Sequence, residues 1–311
     1  MNFISKQCET DDDYWRIRRF FRSLSSVDVR PTANWDVCDF DYWRWHTLES
    51  VWERSPRELR YWENQEEEIV GVLVYGDPGV CHPMADPAVA TEDLLHQMLE
   101  TAESEFLLSL DDGRRLLFPW AGTEDALLNS VLEVRGYELH ASGHSTQYHG
   151  WQSLLDGPPS AQALDGYSLR SMGSDDYSAR SLASWRVFHP GEPDEGADPV
   201  GDWYANVQRA PLYRRDLDIV AIDDATSEMA AFSTGYFDDV ARIGNILLSG
   251  AVPAHPHEEL ERWTVTELLS RLHRLGAVGC SLTWFESDPG DVYTSAGFEV
   301  HSVSKVWKRI F

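Results

Sequence analysis

Leu260-Glu261-Arg262-Trp263-Thr264-Val265-Thr266-Glu267-Leu268-Leu269-Ser270-Arg271-Leu272-His273-Arg274-Leu275-Gly276-Ala277-Val278-Gly279-Cys280-Ser281-Leu282-Thr283-Trp284-Phe285 decides the fold class. Leu260, Trp263, Val265, Leu268, Leu269, Leu272 and Leu275 recur at helical spacing, Gly276 stops the helix, and 280–285 reads as a strand. Upstream, 167–170 reads as a strand, 175–188 and 203–212 as helices, and 219–222, 230–236 and 243–248 as consecutive strands. Downstream, 292–295 reads as a short helix and 298–303 as a strand. The order β-α-α-β-β-β-α-β-α-β predicts an α/β fold with a mixed sheet and helices on its faces.

The same order recurs nearer the start. Thr10-Asp11-Asp12-Asp13-Tyr14 matches Gly173-Ser174-Asp175-Asp176-Tyr177, each placing capping residues before a helical pattern. Ile69-Val70-Gly71-Val72 matches Met229-Ala230-Ala231-Phe232, and Arg135-Gly136-Tyr137 matches Ala296-Gly297-Phe298, at nearly the same offset. Leu94-Leu95 and Leu268-Leu269 lie further apart, so the repeat is one of fold with divergent detail. Asp156-Gly157-Pro158-Pro159-Ser160-Ala161-Gln162-Ala163 has no apolar periodicity and reads as an exposed connector. Two domains are expected, 1–155 and 166–311, with 156–165 between them.

The 311 residues carry 52 acidic against 26 basic side chains, a formal charge of −26, which excludes a general nucleic-acid binder. The basic residues include only three lysines, Lys6, Lys305 and Lys308, and this balance suits a salt-rich cytoplasm, where screening makes such a charge tolerable. Aromatic residues make up 12 %, too many for a disordered chain. The longest apolar run, 69–75, is far too short to span a bilayer, and the polar start is unlike a secretion signal, so a soluble cytoplasmic protein is expected. Cys8, Cys38, Cys81 and Cys280 are scattered, without the spacing of a zinc knuckle or a disulfide framework.

Tyr293-Thr294-Ser295-Ala296-Gly297-Phe298 resembles the Leu-Tyr-x-x-x-Gly-Phe signature of the GNAT superfamily of N-acetyltransferases. Trp185-Arg186-Val187-Phe188-His189-Pro190, the stretch 204–221 and Asp41-Tyr42-Trp43-Arg44-Trp45-His46 are similar to a tandem group within it. The resemblance implies two tandem GNAT-like domains, a splayed sheet that receives acetyl-CoA, and direct acetyl transfer to an amine. It implies Tyr293 as the acid that protonates the departing thiolate, the backbone of Gly250, Ala251 and Val252 as the grip on the pantetheine arm, and Glu259, Leu260, Glu261 and Arg262 as the diphosphate loop. That loop departs from the family pattern. Glutamates stand at both glycine positions, where they suit a helix dipole and repel a diphosphate.

The usual base is replaced by Leu247, with Glu286 or Asp238 as possible substitutes. In the first half Leu132 takes the tyrosine position and 83–93 holds no glycine pair, so that half is expected not to bind CoA. Tyr293 reads equally as an aromatic packed at a helix start, and Glu258, Glu259 and Glu261 as simple capping of a first turn. His255-x-His257 with Glu258-Glu259, and His140, His144 and His149, match no familiar metal spacing, and no metal is expected. Trp35, Tyr42, Trp43, Trp45, His46, Trp52, Tyr61 and Trp62 suit either core packing or a cage for an organic cation. Two functions follow: acetyl transfer from acetyl-CoA to an amine acceptor, or a pseudo-acetyltransferase acting as a binding module with Glu259 and Glu261 closing the groove. An open cleft between 243–248 and 280–285 marks the first, a filled one the second.

Overall fold

The computed structural model describes residues 3–27, 35–51, 59–160, 162–288 and 290–311. The first half of the chain runs β1 (Ile4–Gln7), α1 (Asp11–Val27), α2 (Val37–Tyr42) continued by a π-helical segment (Trp43–Val51), β2 (Arg60–Glu63), β3 (Ile69–Tyr75) and β4 (Val80–Ala85). It continues through α3 (Glu92–Glu105), β5 (Leu108–Ser109), β6 (Arg115–Gly122), α4 (Ala126–Val134), β7 (Glu138–Leu139) and β8 (Thr146–Ser153). The second runs β9 (Tyr167–Ser171), α5 (Tyr177–Phe188), α6 (Asp202–Gln208), β10 (Tyr213–Asp223), β11 (Met229–Asp238) and β12 (Ile243–Ala251). It ends with α7 (His257–Arg274), β13 (Gly279–Phe285), α8 (Asp291–Ser295) and β14 (Glu299–Ile310). Residues 156–160 and 162–165 form neither helix nor strand.

The repeated sequence anchors mark repeated caps. At α1 the Asp13 carboxylate accepts from the Thr10 N–H at 3.0 Å, and before α5 the Asp176 carboxylate accepts from the Gly173 N–H at 2.6 Å. After α4, Gly136 takes φ +79° while the Gly136 and Tyr137 N–H groups donate to Glu133 and Leu132. After α8, Gly297 takes φ +96° while Gly297 and Phe298 donate to Thr294 and Tyr293. Both turns are Schellman caps, which need the left-handed residue that glycine supplies and bury the aromatic after it.

All the strands join one sheet in the order β1-β2-β3-β4-β6-β14-β8-β13-β12-β11-β10-β9, with β5 on β6 and β7 on β14. The two halves exchange strands. β8 lies between β13 and β14, and β14 lies between β8 and β6, with Ser304 opposite Gly122 and Ile310 opposite Leu116. The strand expected over 298–303 therefore continues to Ile310, because its second part finds a partner in the first half. The helix expected over 203–212 stops at Gln208, since Pro211 disfavours helical geometry before it and Tyr213 already begins β10.

α3 and α4 cover one face of the first half around Leu73, Leu94, Leu99 and Leu132, while α1 and α2 cover the other around Ile17, Phe21, Phe40 and Val72. In the second half α7 lays Val265, Leu268, Leu269 and Leu272 on the sheet, and α5 and α6 cover the opposite face around Tyr204 and Phe232. Tyr61 and Trp62 are core residues, whereas Trp52 lies outside the described residues. No helix among the described residues is long and apolar enough to cross a membrane.

Candidate functional site

Two neighbouring parallel strands part in each half. In the second, β12 pairs with β13 only from Ile243–Gly279 to Ile246–Leu282. On its other side β12 slips register against β11, so that Leu247 is an extra residue between Ile246 and Leu248. A β-bulge at this point bends the strand and frees it from the ladder just where the gap opens. Beyond it, Ala251 pairs with Ala231, and the Val252 N–H donates to the Ala230 carbonyl at 2.8 Å. Gly250 is pressed under α5, where a Cβ would meet Val187 at 2.5 Å.

The mouth of this gap is crossed by Glu261. Its carboxylate accepts from the Tyr293 hydroxyl at 3.0 Å on the α8 side and from the Ser249 hydroxyl on the β12 side, and the residue is only 8 % exposed. Ser249 in turn shares a hydrogen bond with Ser233 at 3.0 Å, and Ser233 one with Thr264 at 2.7 Å, so a line of hydroxyls fixes the carboxylate from below. The Tyr293 ring lies 5.5 Å from that of Trp284 on β13. Burial holds the Glu261 carboxyl above the usual range, against the lowering effect of its two hydroxyl donors. Burial and the adjacent carboxylate push the Tyr293 hydroxyl well above its usual range, which makes it a reluctant proton donor.

The remaining residues singled out in the sequence fall elsewhere. Leu260 is buried against Ala230, Ala231 and Ala251, whereas Glu259 and Arg262 face a cavity of about 560 Å³ that α7 forms with the connecting segment around Leu164. Glu258 and Glu259 are exposed, and the first turn of α7 has no side-chain cap. Asp238 sits opposite Ile243, at the far end of β12 from the gap, and is paired with Arg22 at 2.6 Å. Glu286 is exposed beyond the end of β13. His255 bonds the Tyr167 hydroxyl and His149 the Ser304 hydroxyl, and no group of three metal-binding side chains occurs among the described residues.

The first-half gap differs. β4 pairs with β6 only at Val80–Phe118 and Cys81–Pro119, and β4 runs in unbroken register with β3, without a bulge. Beyond that pairing lies a cavity of about 490 Å³ lined by Met84 and Ala85 of β4, Asp125 at the start of α4, and Ser302 and Val303 of β14. Leu132 is buried in the core beneath it.

A further polar cluster carries no recognisable sequence signal. Arg180 on α5 is fully buried, its guanidinium 3.5 Å from the centre of the Phe232 ring and 4.7 Å from that of Tyr204. Its three nitrogens have no hydrogen-bond partner among the described residues. The nearby Asp218 carboxylate accepts from Tyr204 at 2.8 Å, Tyr213 at 2.7 Å and Thr234 at 3.1 Å. Burial raises the Asp218 carboxyl, and the Arg180 charge works in the opposite direction. Arginine and aspartate at this distance in sequence fit no motif, so only the packed α5, α6 and β10 reveal the pair.

No family model and no curated protein matches this chain. Solved structures do. A GCN5-related N-acetyltransferase from Sphaerobacter thermophilus superposes with a TM-score of 0.63 at 14 % identity, over 99 % of this chain and 95 % of that one. A tandem GNAT protein from the clavulanic acid biosynthesis pathway gives 0.63 at 13 % identity, over 99 % and 98 %. A GNAT-family acetyltransferase from Colwellia psychrerythraea gives 0.60 at 11 % identity, over 99 % of each chain. At these identities the likeness establishes the fold, a tandem GNAT arrangement over nearly the whole chain.

Proposed function

We propose, with the tandem GNAT fold as premise, that this protein is a pseudo-acetyltransferase: a binding module in which the second-half groove is closed to acyl-CoA. The observation that carries this reading is Glu261, held between Tyr293 and Ser249 across the mouth of the gap. A CoA diphosphate needs converging backbone N–H groups and close approach, which glycines permit. Here a buried carboxylate stands in that approach, Glu258 and Glu259 add negative charge, and the hydroxyl of the implied acid is engaged in a hydrogen bond to Glu261. The residues of this gap do not fit acetyl-CoA.

A second reading, transfer of an acetyl group from acetyl-CoA to an amine, draws on the open first-half cavity between β4 and β6. Titration calorimetry with acetyl-CoA, at low and at molar salt, separates the two. The proposal expects no saturable binding to the native chain and a gain of binding in Glu261→Gly. Saturable binding to the native chain overturns it. If Ala85→Trp then abolishes that binding, the first-half cavity is the site.

A further inference from the structure

α7 carries a second face besides the one that packs on the sheet. Glu259, Arg262, Trp263 and Thr266 follow one another at helical spacing and share a side that Val265, Leu268, Leu269 and Leu272 do not. A surface helix ordinarily turns such a polar side to bulk water. Here the connecting segment, from Pro159 to Asp165, and Ser295 of α8 enclose it instead, leaving a cavity of about 560 Å³. That size lies within the range of about 300–1,000 Å³ typical of small-molecule sites. Ala161, the one undescribed residue of the connecting stretch, has only a methyl side chain.

The polar groups of this cavity are free. The Thr266 and Ser295 hydroxyls donate to their own helices, at the Arg262 and Val292 carbonyls. Ser160, Gln162, Asp165, Glu259 and Arg262 bond no side chain and no backbone group among the described residues, and the Trp263 indole N–H has no partner there either. Glu259 and Arg262 stand three residues apart on one helix, where opposite charges commonly pair, yet no ion pair joins them. Trp263 and Leu164, both packed against the Leu260 cluster, supply the apolar part of the wall.

We propose that this cavity binds a neutral hexopyranose. Two carboxylates against one guanidinium repel an anion, and the guanidinium repels a simple cation. A sugar hydroxyl both donates and accepts, so it serves carboxylate, amide and guanidinium alike. The planar ends of Gln162, Asp165, Glu259 and Arg262 each offer two atoms to neighbouring hydroxyls, and the C–H face of the ring suits the Trp263 indole by dispersion. An amino-acid zwitterion engages the guanidinium and one carboxylate only, and leaves the second carboxylate and the amide without a partner. Glu261, Tyr293 and Ser249 do not line this cavity, so the inference does not depend on how the acetyl-CoA titration turns out.

The experiment is calorimetric titration of the full chain with the methyl pyranosides of glucose, galactose and mannose, beside L-alanine as a zwitterion and inorganic phosphate as an anion. At least one glycoside is expected to bind saturably, with a Kd of about 1 mM or below, and more tightly than alanine or phosphate. Arg262→Ala and Asp165→Ala are each expected to weaken it about tenfold. Both side chains are exposed and unbonded, so their truncation leaves the fold in place. No saturation by any of the three glycosides at about 20 mM, tighter binding of alanine or phosphate, or a glycoside affinity unchanged in both variants overturns the proposal. The ranking of the ligands on the native chain decides it even if a variant fails to fold.

Discussion

Exchanging Glu261 for glutamine isolates the charge at the closed gap. The amide keeps the shape of the side chain and an oxygen for the Tyr293 and Ser249 hydroxyls, so the change removes a buried negative charge and little else. Because burial raises the Glu261 carboxyl above its ordinary 4.5, the folded chain takes up this proton at a higher pH than the unfolded chain. Its contribution to stability is therefore full below the unfolded value and is lost as pH rises through the folded one. Glutamine suffers no such loss.

Desolvating a carboxylate costs several kcal/mol, and two hydroxyl bonds to the charged form return about 1.5–3 kcal/mol each, which leaves a net cost on the order of 1 kcal/mol at neutral pH. Urea unfolding followed by tryptophan fluorescence, between about pH 3.5 and pH 8, reads the difference. The two chains should match at the acid end, and Glu261→Gln should be the more stable by about 1 kcal/mol at neutral pH, or roughly 2 °C in Tm. A difference independent of pH, or one favouring the native chain as pH rises, would refute the closed, buried placement of this carboxylate.

Arg180→Met should destabilise by about 3 kcal/mol, because it leaves the Asp218 carboxylate buried without a countercharge, and adding Asp218→Asn should recover much of that loss in a double-mutant cycle read by urea unfolding. Ending the chain after Val303 removes the partner of β6 from Gly122–Ser304 to Leu116–Ile310, and the product should be insoluble or lack a cooperative transition by calorimetry. Gly235→Ala should cost about 1–3 kcal/mol in the same unfolding assay, since its Cβ would lie 2.9 Å from Leu268 where α7 packs on β11.

The helix before Gly276 and the strand after it were legible because burial of one face leaves a periodic trace, and Leu268, Leu269 and Leu272 are indeed among the buried residues of α7. The repeated Gly136-Tyr137 and Gly297-Phe298 were legible for a sharper reason, since a left-handed turn demands glycine. β14 was read only in part. Alternation continues past Val303, but which strand it joins depends on residues such as Gly122 and Leu116, far away in sequence. At the site, counting along α7 points to Glu261, yet nothing local reveals that its carboxylate turns to Ser249 and Tyr293 and not to its own helix N-terminus. The ring contacts of His82 with Trp35 and Trp120 were equally hidden, because adjacency of these three residues exists only after three elements have packed.

The strand exchange also bears on how the chain comes off the ribosome. Gly122 of β6 needs Ser304 beside it, so the first half emerges with an unsatisfied sheet edge and waits for a strand translated much later. At 5–20 residues per second that wait is roughly ten to forty seconds. Throughout it β6 offers a template to any passing strand, including the same edge of a second nascent chain. Synthesis of this protein should therefore depend on chaperones that shelter an unfinished first half, and slow translation of the second half should lower its soluble yield.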